Sequence, residues 1–137
     1  MNYKSKIKTV ADAFKYCKKE LLTISEFSKF PEEMRDYLYA CYILPIIIAA
    51  LNAEANGGKE WIPDYTDNNW KYELLFGIEA DKKRPSGFGL SAADFGRWIT
   101  ITSCGSRIQF INKEVAMYCF ENKNFNKHWK DYILYKK

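Results

Sequence analysis

Few residues in this 137-residue chain have the types and spacing that catalysis requires. The single histidine, His128, stands between Lys127 and Trp129 and is far in sequence from any serine or cysteine nucleophile. A histidine base must lie within hydrogen-bond reach of the group it activates. We therefore interpret His128 as a solvated residue of a helix, with a general base brought into place by folding as the alternative.

The segment Cys104-Gly105-Ser106-Arg107 places a thiol close to a guanidinium group. A nearby cation lowers the pKa of a thiol and so favours the reactive thiolate. A phosphatase-type loop, however, needs more residues between its cysteine and arginine than the two present here. The segment is interpreted as a turn.

Metal, calcium and phosphate sites are also poorly supported. Asp64 and Asp67 offer oxygens at the spacing of a calcium loop, but the glycine and the closing glutamate of an EF-hand are missing. Side chains of this kind more commonly cap turns. The glycines of Ser86-Gly87-Phe88-Gly89 lack the Lys-Ser/Thr pair of a phosphate loop. We expect no catalytic residue, no metal ligand and no cofactor.

The four cysteines form no CxxC or cysteine–histidine pair of zinc-site type. Cys17, Cys41 and Cys119 fall on apolar helix faces, so we expect them to be reduced and buried, with Cys104 the most exposed. The first ten residues are basic and lack the apolar segment of a secretory signal. A cytoplasmic protein is expected, and no membrane partner.

The aromatic content is 17%, and Trp, Tyr and Arg concentrate in the middle of the chain. These residue types dominate protein interfaces and also stack on nucleic-acid bases. We take Trp61, Asp64, Trp98 and Arg107 as candidate binding residues. Arg107 has two alternative roles: a buried clamp on Asp64 that ties down the 61–69 loop, or an exposed contact to a ligand.

Charge is distributed unevenly along the chain, although the net charge is only +4. Residues 1–30 and 112–137 are basic, and residues 31–65 carry six acids against two bases. Basic ends are typical of solvated helix faces, and they also suit contact with phosphates. The favoured function is a non-enzymatic domain that binds a protein partner. The alternative is single-stranded nucleic-acid binding through the basic ends and exposed aromatics.

Helices are expected at both ends of the chain. Thr9 and Asp12 have the spacing of a capping box, and Asn112 can cap a helix before Glu114. Residues 37–51 carry no charge but include Pro45 and three tyrosines. We interpret this stretch as a buried core helix, because a spanning helix needs about 20 apolar residues. The last helix is a single one, or two joined near Asn122.

Strands are expected between these helices. Trp70, Tyr72, Leu74 and Phe76 alternate with Lys71 and Glu73, which is typical of a half-buried strand with its large residues inward. A two-residue loop at Cys104-Gly105 would pair Ile101 with Ile108 and Ile99 with Phe110 in a hairpin.

Strands in a run between helices indicate an α+β fold. We expect one domain over residues 1–137, in which an antiparallel meander of about three to four strands packs against N-terminal and C-terminal helices. The expected helices are at about 9–21, 31–55 and 113–135, and the expected strands at about 70–77, 97–103 and 106–111.

Several short motifs, taken together, resemble a known group of proteins. They are ALN at 50–52, WIPDY at 61–65, KYELLF at 71–76, SGFGLS at 86–91 and CGSRIQF at 104–110, before a helix that ends in WKDYIL. This succession is similar to a family of small uncharacterised proteins common in Bacteroidota genomes, prophages and phages, over roughly residues 5–135. The resemblance implies a bacterial or phage cytosolic protein and assigns no activity. It also implies that five residues match family motif positions: Trp61, Asp64, Gly87, Gly89 and Arg107.

Overall fold

A computed structural model describes residues 2–80, 83, 88–98 and 104–134, without the side chains of residues 79, 88, 89 and 91–98. Within these residues the elements follow in the order α1 (Tyr3–Lys6), α2 (Val10–Tyr16), a 3₁₀ turn (Ile24–Phe27), α3 (Glu32–Ala55), β1 (Lys71–Ala80), β2 (Phe88–Trp98), a second 3₁₀ turn (Ser106–Ile108), α4 (Lys113–Glu121) and α5 (Lys123–Ile133).

The long helix α3 forms the centre of the molecule. Pro31 precedes it, and Glu32 and Glu33 lie in its first turn, where acidic side chains favour the positive end of the helix dipole. Its second half is mostly apolar, and α2, α4 and α5 pack against it. Five large side chains of this half lie in the core, namely Ile43, Leu44, Ile47, Ile48 and Leu51.

By length and composition alone, α3 could also cross a membrane. Half of its most apolar 18-residue window is buried inside the molecule. That burial is the property of a core helix, because each covered side chain already has protein around it.

The helix α2 begins where expected and ends early. The Thr9 side chain accepts from the Asp12 N–H (3.1 Å), and the Asp12 carboxylate accepts from the Thr9 N–H (2.9 Å), which confirms the capping box. The helix stops because Lys18 takes a left-handed φ of 54° and the Lys19 N–H donates to the Phe14 carbonyl (2.9 Å). Glycine is the usual residue in this helix ending, so a lysine at position 18 does not predict that the helix ends there.

The predicted meander of three to four strands is wrong. The fold is mostly helical, and the described residues contain one antiparallel pair, β1 with β2, in place of a larger sheet. Lys71 lies opposite Trp98 and Ala80 opposite Phe88, with a register shift between Leu75 and Phe76. Small residues such as Ala92, Ala93 and Gly96 have low strand propensity, so the β2 segment did not read as a strand.

The predicted hairpin around Cys104-Gly105 is also wrong. Its first strand, at about 97–103, lies largely outside the described residues, where the Ile99 and Ile101 pairings also fall. Its second strand, at about 106–111, begins instead as the 3₁₀ turn Ser106–Ile108. Phe110 makes a β-bridge to Tyr72. The alternating apolar residues 108 and 110 reach the core through the turn and this bridge.

The first strand, β1, follows most of its predicted pattern. Tyr72, Leu74 and Phe76 pack against the core, but Trp70 precedes the strand and is 45% exposed. At the C-terminus, Asn122 ends α4 and caps α5, so the chain has two helices in the region expected to be helical at 113–135. The expected Asn112 cap is confirmed by its bond from the Val115 N–H (2.9 Å).

A buried asparagine joins α3 to the segment that follows the second 3₁₀ turn. The Asn52 side chain is 3% exposed, donates to the Gln109 carbonyl (2.8 Å) and accepts from the Ile111 N–H (3.0 Å). These bonds satisfy the backbone polar groups of one buried and one partly buried residue. One side chain thus positions the end of the segment that carries Arg107.

Replacing this asparagine tests how much the connection stabilises the fold. Asn52→Ala removes the side-chain partner of two backbone groups, at about 1 to 3 kcal/mol for each group left unsatisfied. We expect a clear fall in the free energy of unfolding, measured by urea denaturation. Asn56→Ala is the control, because Asn56 bonds the Lys59 carbonyl at the exposed end of α3. Equal stability of the two variants would contradict this role for Asn52.

Candidate functional site

The structure describes the side chains of three of the four candidate binding residues. Trp61 is half-buried, whereas Asp64 and Arg107 are exposed. The side chain of Trp98 lies outside the described part of the structure, although its backbone pairs with Lys71.

The clamp between Arg107 and Asp64 is not formed. The Asp64 carboxylate accepts instead from the Thr66 N–H (2.8 Å) and the Thr66 hydroxyl (2.5 Å), and these bonds lower the pKa of Asp64. Among the described residues, no ion pair joins Arg107 to a carboxylate. Arg107 lies in the second 3₁₀ turn and is exposed, so it does not act as a buried clamp on the 61–69 loop.

The Asp64 and Asp67 side chains close turns, as the sequence indicates. The Asp67 carboxylate accepts from the Asn69 N–H (2.9 Å) and from the Lys71 ammonium (2.5 Å). The lysine is the main cause of the lowered pKa of Asp67. Within the described ranges, no group of three His, Cys, Asp or Glu side chains could hold a metal ion.

A buried polar cluster lies beneath this loop, and the sequence pattern did not reveal it. Lys71 and Glu73 were expected on the solvent side of β1, yet they are 1% and 3% exposed. The Lys71 ammonium lies 5.8 Å from the centre of the Tyr65 ring, whose hydroxyl bonds the side chain of buried Gln109. The loop therefore covers this face of β1, and the cluster ties the loop to the protein core.

His128 is buried, contrary to the expectation of a solvated histidine. It is 9% exposed, and its ring lies 6.0 Å from the Tyr39 ring. Its Nδ1 atom has no hydrogen-bond partner among the described residues. Burial lowers the pKa of His128, with Lys127 acting in the same direction and Asp131 opposing, so the imidazole is neutral at pH 7.

All four cysteines are free thiols. Cys119 is buried as expected, and burial raises its pKa to about 12. Cys17 and Cys41 are half-buried like Cys104, so the expected contrast in exposure is only partly present. Burial also raises the pKa of Cys17, whose thiol donates to the Ile46 carbonyl (3.7 Å). A raised pKa keeps a thiol protonated, which makes it a poor nucleophile.

Exposed apolar side chains, in contrast, concentrate in one stretch of the chain. Nine large apolar residues are exposed within the described part of the structure, and five of them fall between residues 21 and 37, where the first 3₁₀ turn meets the start of α3. We call them the helical-end patch: Leu21, Ile24, Phe30, Met34 and Tyr37. A cluster of this kind on a soluble protein is typical of an interaction surface.

A second surface feature has the opposite chemistry. A groove of about 530 Å³ opens where α4 meets α5, and lysines line much of it. Its lining residues are Phe120, Glu121, Lys123, Asn126, Lys127 and Lys130. The molecule therefore has an apolar surface at one place and a basic groove at another.

The amino-acid sequence matches no protein-family model and no curated protein, and the fold matches no solved structure. The features that bear on function are therefore the helical-end patch, the basic groove and the buried polar cluster at Lys71.

The buried ion pair gives an asymmetric mutational prediction. The Lys71 side chain is 2% exposed and that of Asp67 is 36% exposed. Asp67→Asn leaves a buried ammonium without its counter-ion, whereas Lys71→Met leaves a carboxylate that water can still reach. We expect Asp67→Asn to lower the urea midpoint by more than Lys71→Met. A larger fall for Lys71→Met would show that burial of the Lys71 ammonium is not the main free-energy cost of this ion pair.

The buried histidine makes stability depend on pH. Because burial lowers the pKa of His128, the unfolded chain takes up a proton at higher pH than the folded chain. The contribution of neutral His128 is complete above about pH 6.5, the ordinary histidine value, and is lost as the pH falls below it. We expect the urea midpoint to fall between pH 7 and pH 5. His128→Phe should flatten this fall, and an unchanged profile would exclude His128 as its source.

Proposed function

We propose that this chain is a non-enzymatic domain that binds a protein partner through the helical-end patch. The observation that carries the proposal is the clustering of exposed Leu21, Ile24, Phe30, Met34 and Tyr37. Exposing large apolar side chains to water is unfavourable in free energy, and burying them against a partner removes this cost. Aromatic residues and methionine are also enriched at protein interfaces.

The patch rests on a hydrogen-bonded base. The Tyr39 hydroxyl donates to the Leu22 carbonyl (2.8 Å), and the Leu22 N–H donates to the Tyr42 hydroxyl (3.0 Å). The Arg35 side chain donates to the Phe30 carbonyl (2.8 Å) and the Ser28 carbonyl (3.0 Å). A surface fixed in this way loses little conformational entropy on binding, which favours its use as an interface.

Aromatic stacking extends the support of the patch to the C-terminal helix. The Tyr37 ring stacks on the Tyr132 ring with centres 5.7 Å apart and planes 4° apart, yet Tyr37 is 46% exposed. Phe27 packs edge-on against Tyr39 (5.2 Å) and near Phe30 (5.9 Å). Rigid, partly exposed aromatic rings are the side chains that most often carry binding energy.

The charge around the patch indicates the character of the partner. Residues 20–37 include five acids and two bases. An acidic surface attracts a basic one and repels acidic competitors. The proposed partner therefore presents an apolar surface with basic residues at its rim.

The proposed setting is the cytoplasm of a bacterium, with the gene carried by a phage or another mobile element. The four free thiols suit a reducing compartment. The succession of motifs from ALN to WKDYIL is the basis for the phage context.

The test is affinity capture from a native bacterial host with matched surface variants. Met34→Asp places a charge in the centre of the patch and should weaken capture of the partner at least tenfold. Ile62→Asp is the control, because Ile62 is 68% exposed and lies outside the patch. Neither exposed substitution should change stability by more than about 0.5 kcal/mol.

Binding of the recovered partner to each purified variant is then measured by calorimetry. Equal affinity of the two variants would place the interface elsewhere. Turnover of a metabolite by the purified protein would contradict the non-enzymatic assignment.

A further inference from the structure

The fold brings the two basic ends of the chain together. The Asn124 and Asn122 amides, at the start of α5, donate to the Lys8 carbonyl (2.9 and 3.1 Å). The Tyr118 hydroxyl donates to the Ile7 carbonyl (2.9 Å), and the Lys4 ammonium lies 5.9 Å from the centre of the Tyr118 ring. The segment that carries exposed Lys4 and Lys8 therefore contacts the α4–α5 junction, and neighbouring residues of α4 and α5 line the basic groove.

Three lysines of α5 line the groove. Lys123, Lys127 and Lys130 are spaced by four and three residues, so they share one face of the helix. The Lys127 ammonium pairs with the Asp131 carboxylate (2.8 Å), which is 2% exposed, while Lys127 itself is 62% exposed. The buried carboxylate thus holds an exposed cation in place. Glu121 is the one acid in the lining.

Like charges repel, so a fold that collects cations on one surface is less stable by itself than one that disperses them. Carboxylates partly offset the repulsion: Asp12 accepts from the Lys8 N–H (3.0 Å), and Asp131 pairs with Lys127. Lys123 and Lys130 form no ion pair with any of the described residues. An anionic ligand would relieve the remaining repulsion.

We propose that this groove binds the phosphate backbone of a nucleic-acid strand. The distance from residue 123 to residue 130 along a helix is about 10 Å, at 1.5 Å per residue. Neighbouring phosphates of a single strand lie farther apart than the rise of about 3.4 Å along a duplex axis, so a row of this length reaches about two of them. A line of cations fits a chain of phosphates better than it fits a single compact phosphate.

The chemistry of the lining favours binding without sequence preference. Lysine ammonium groups act on phosphates as point charges and read no base. The Asn126 amide, a group that could read a base edge, already donates to the Phe120 carbonyl (2.8 Å). None of the residues that line the groove belongs to the helical-end patch.

The test is fluorescence polarisation with a labelled 20-nucleotide oligo(dT) and the full chain at several salt concentrations. We expect micromolar binding at low salt that weakens steeply as salt rises. Lys123→Gln with Lys130→Gln should weaken binding about tenfold, and should reduce the slope of log K against log salt by about 1.4, or 0.7 for each lost contact to a single strand.

The control replaces two exposed lysines outside the groove, Lys29→Gln with Lys59→Gln, and makes the same change in net charge. It should keep most of the affinity, as should Met34→Asp, which tests the proposed protein interface. The double variant in the groove should keep the wild-type urea midpoint, because Lys123 and Lys130 make no ion pair within the described residues.

Three outcomes would overturn the proposal. The first is no binding of oligo(dT) at low salt and micromolar protein. The second is equal loss of affinity in the groove variant and the control, which would leave only a general effect of net charge. The third is displacement of the oligonucleotide by inorganic phosphate or ATP at concentrations equal in phosphate, which would indicate a compact phosphate ligand instead of a strand.

Discussion

Residues 43–51 of α3 are all apolar, and this constraint organises the rest of the chain. Most of such a stretch must be covered, so α2, α4 and α5 pack against the helix. The core cluster is built from these elements together with Phe110 and the inward side chains of β1. The first two turns of α3 are different, since none of residues 32–39 is buried. The exposed residues of the helical-end patch lie where this covering ends.

Because the core is apolar, the few polar groups inside it have defined structural tasks. Asn52 satisfies two backbone groups beside the second 3₁₀ turn, and Gln109 is bonded by the Tyr65 hydroxyl. Lys71 brings its ammonium into the interior only because Asp67 meets it at the edge. Each of these contacts ties a segment without regular secondary structure to the core. The polar interior therefore attaches the loop to the core.

The two surfaces differ in sign as well as in shape. The helical-end patch lies in a stretch with an excess of acids, and the groove between α4 and α5 is lined by three lysines. Some opposite charges do meet, as in the Lys6–Glu54 pair (2.8 Å) between the N-terminal helix and α3. The basic ends, however, meet each other at the α4–α5 junction. The net charge of the chain is small because an acidic stretch and a basic groove largely offset each other.

Local signals in the sequence were enough to predict several elements. The expected bounds of α3, the Thr9 and Asn112 caps, and the inward alternation of Tyr72, Leu74 and Phe76 depend on contacts within a few residues. The tertiary structure alone decided which segment pairs with β1, that Lys18 ends α2, and that Lys71 and His128 are buried. It also left Arg107 exposed, so that Arg107 does not clamp Asp64 as expected. These outcomes depend on what the rest of the chain places beside a residue, and a local pattern of residue types does not contain that information.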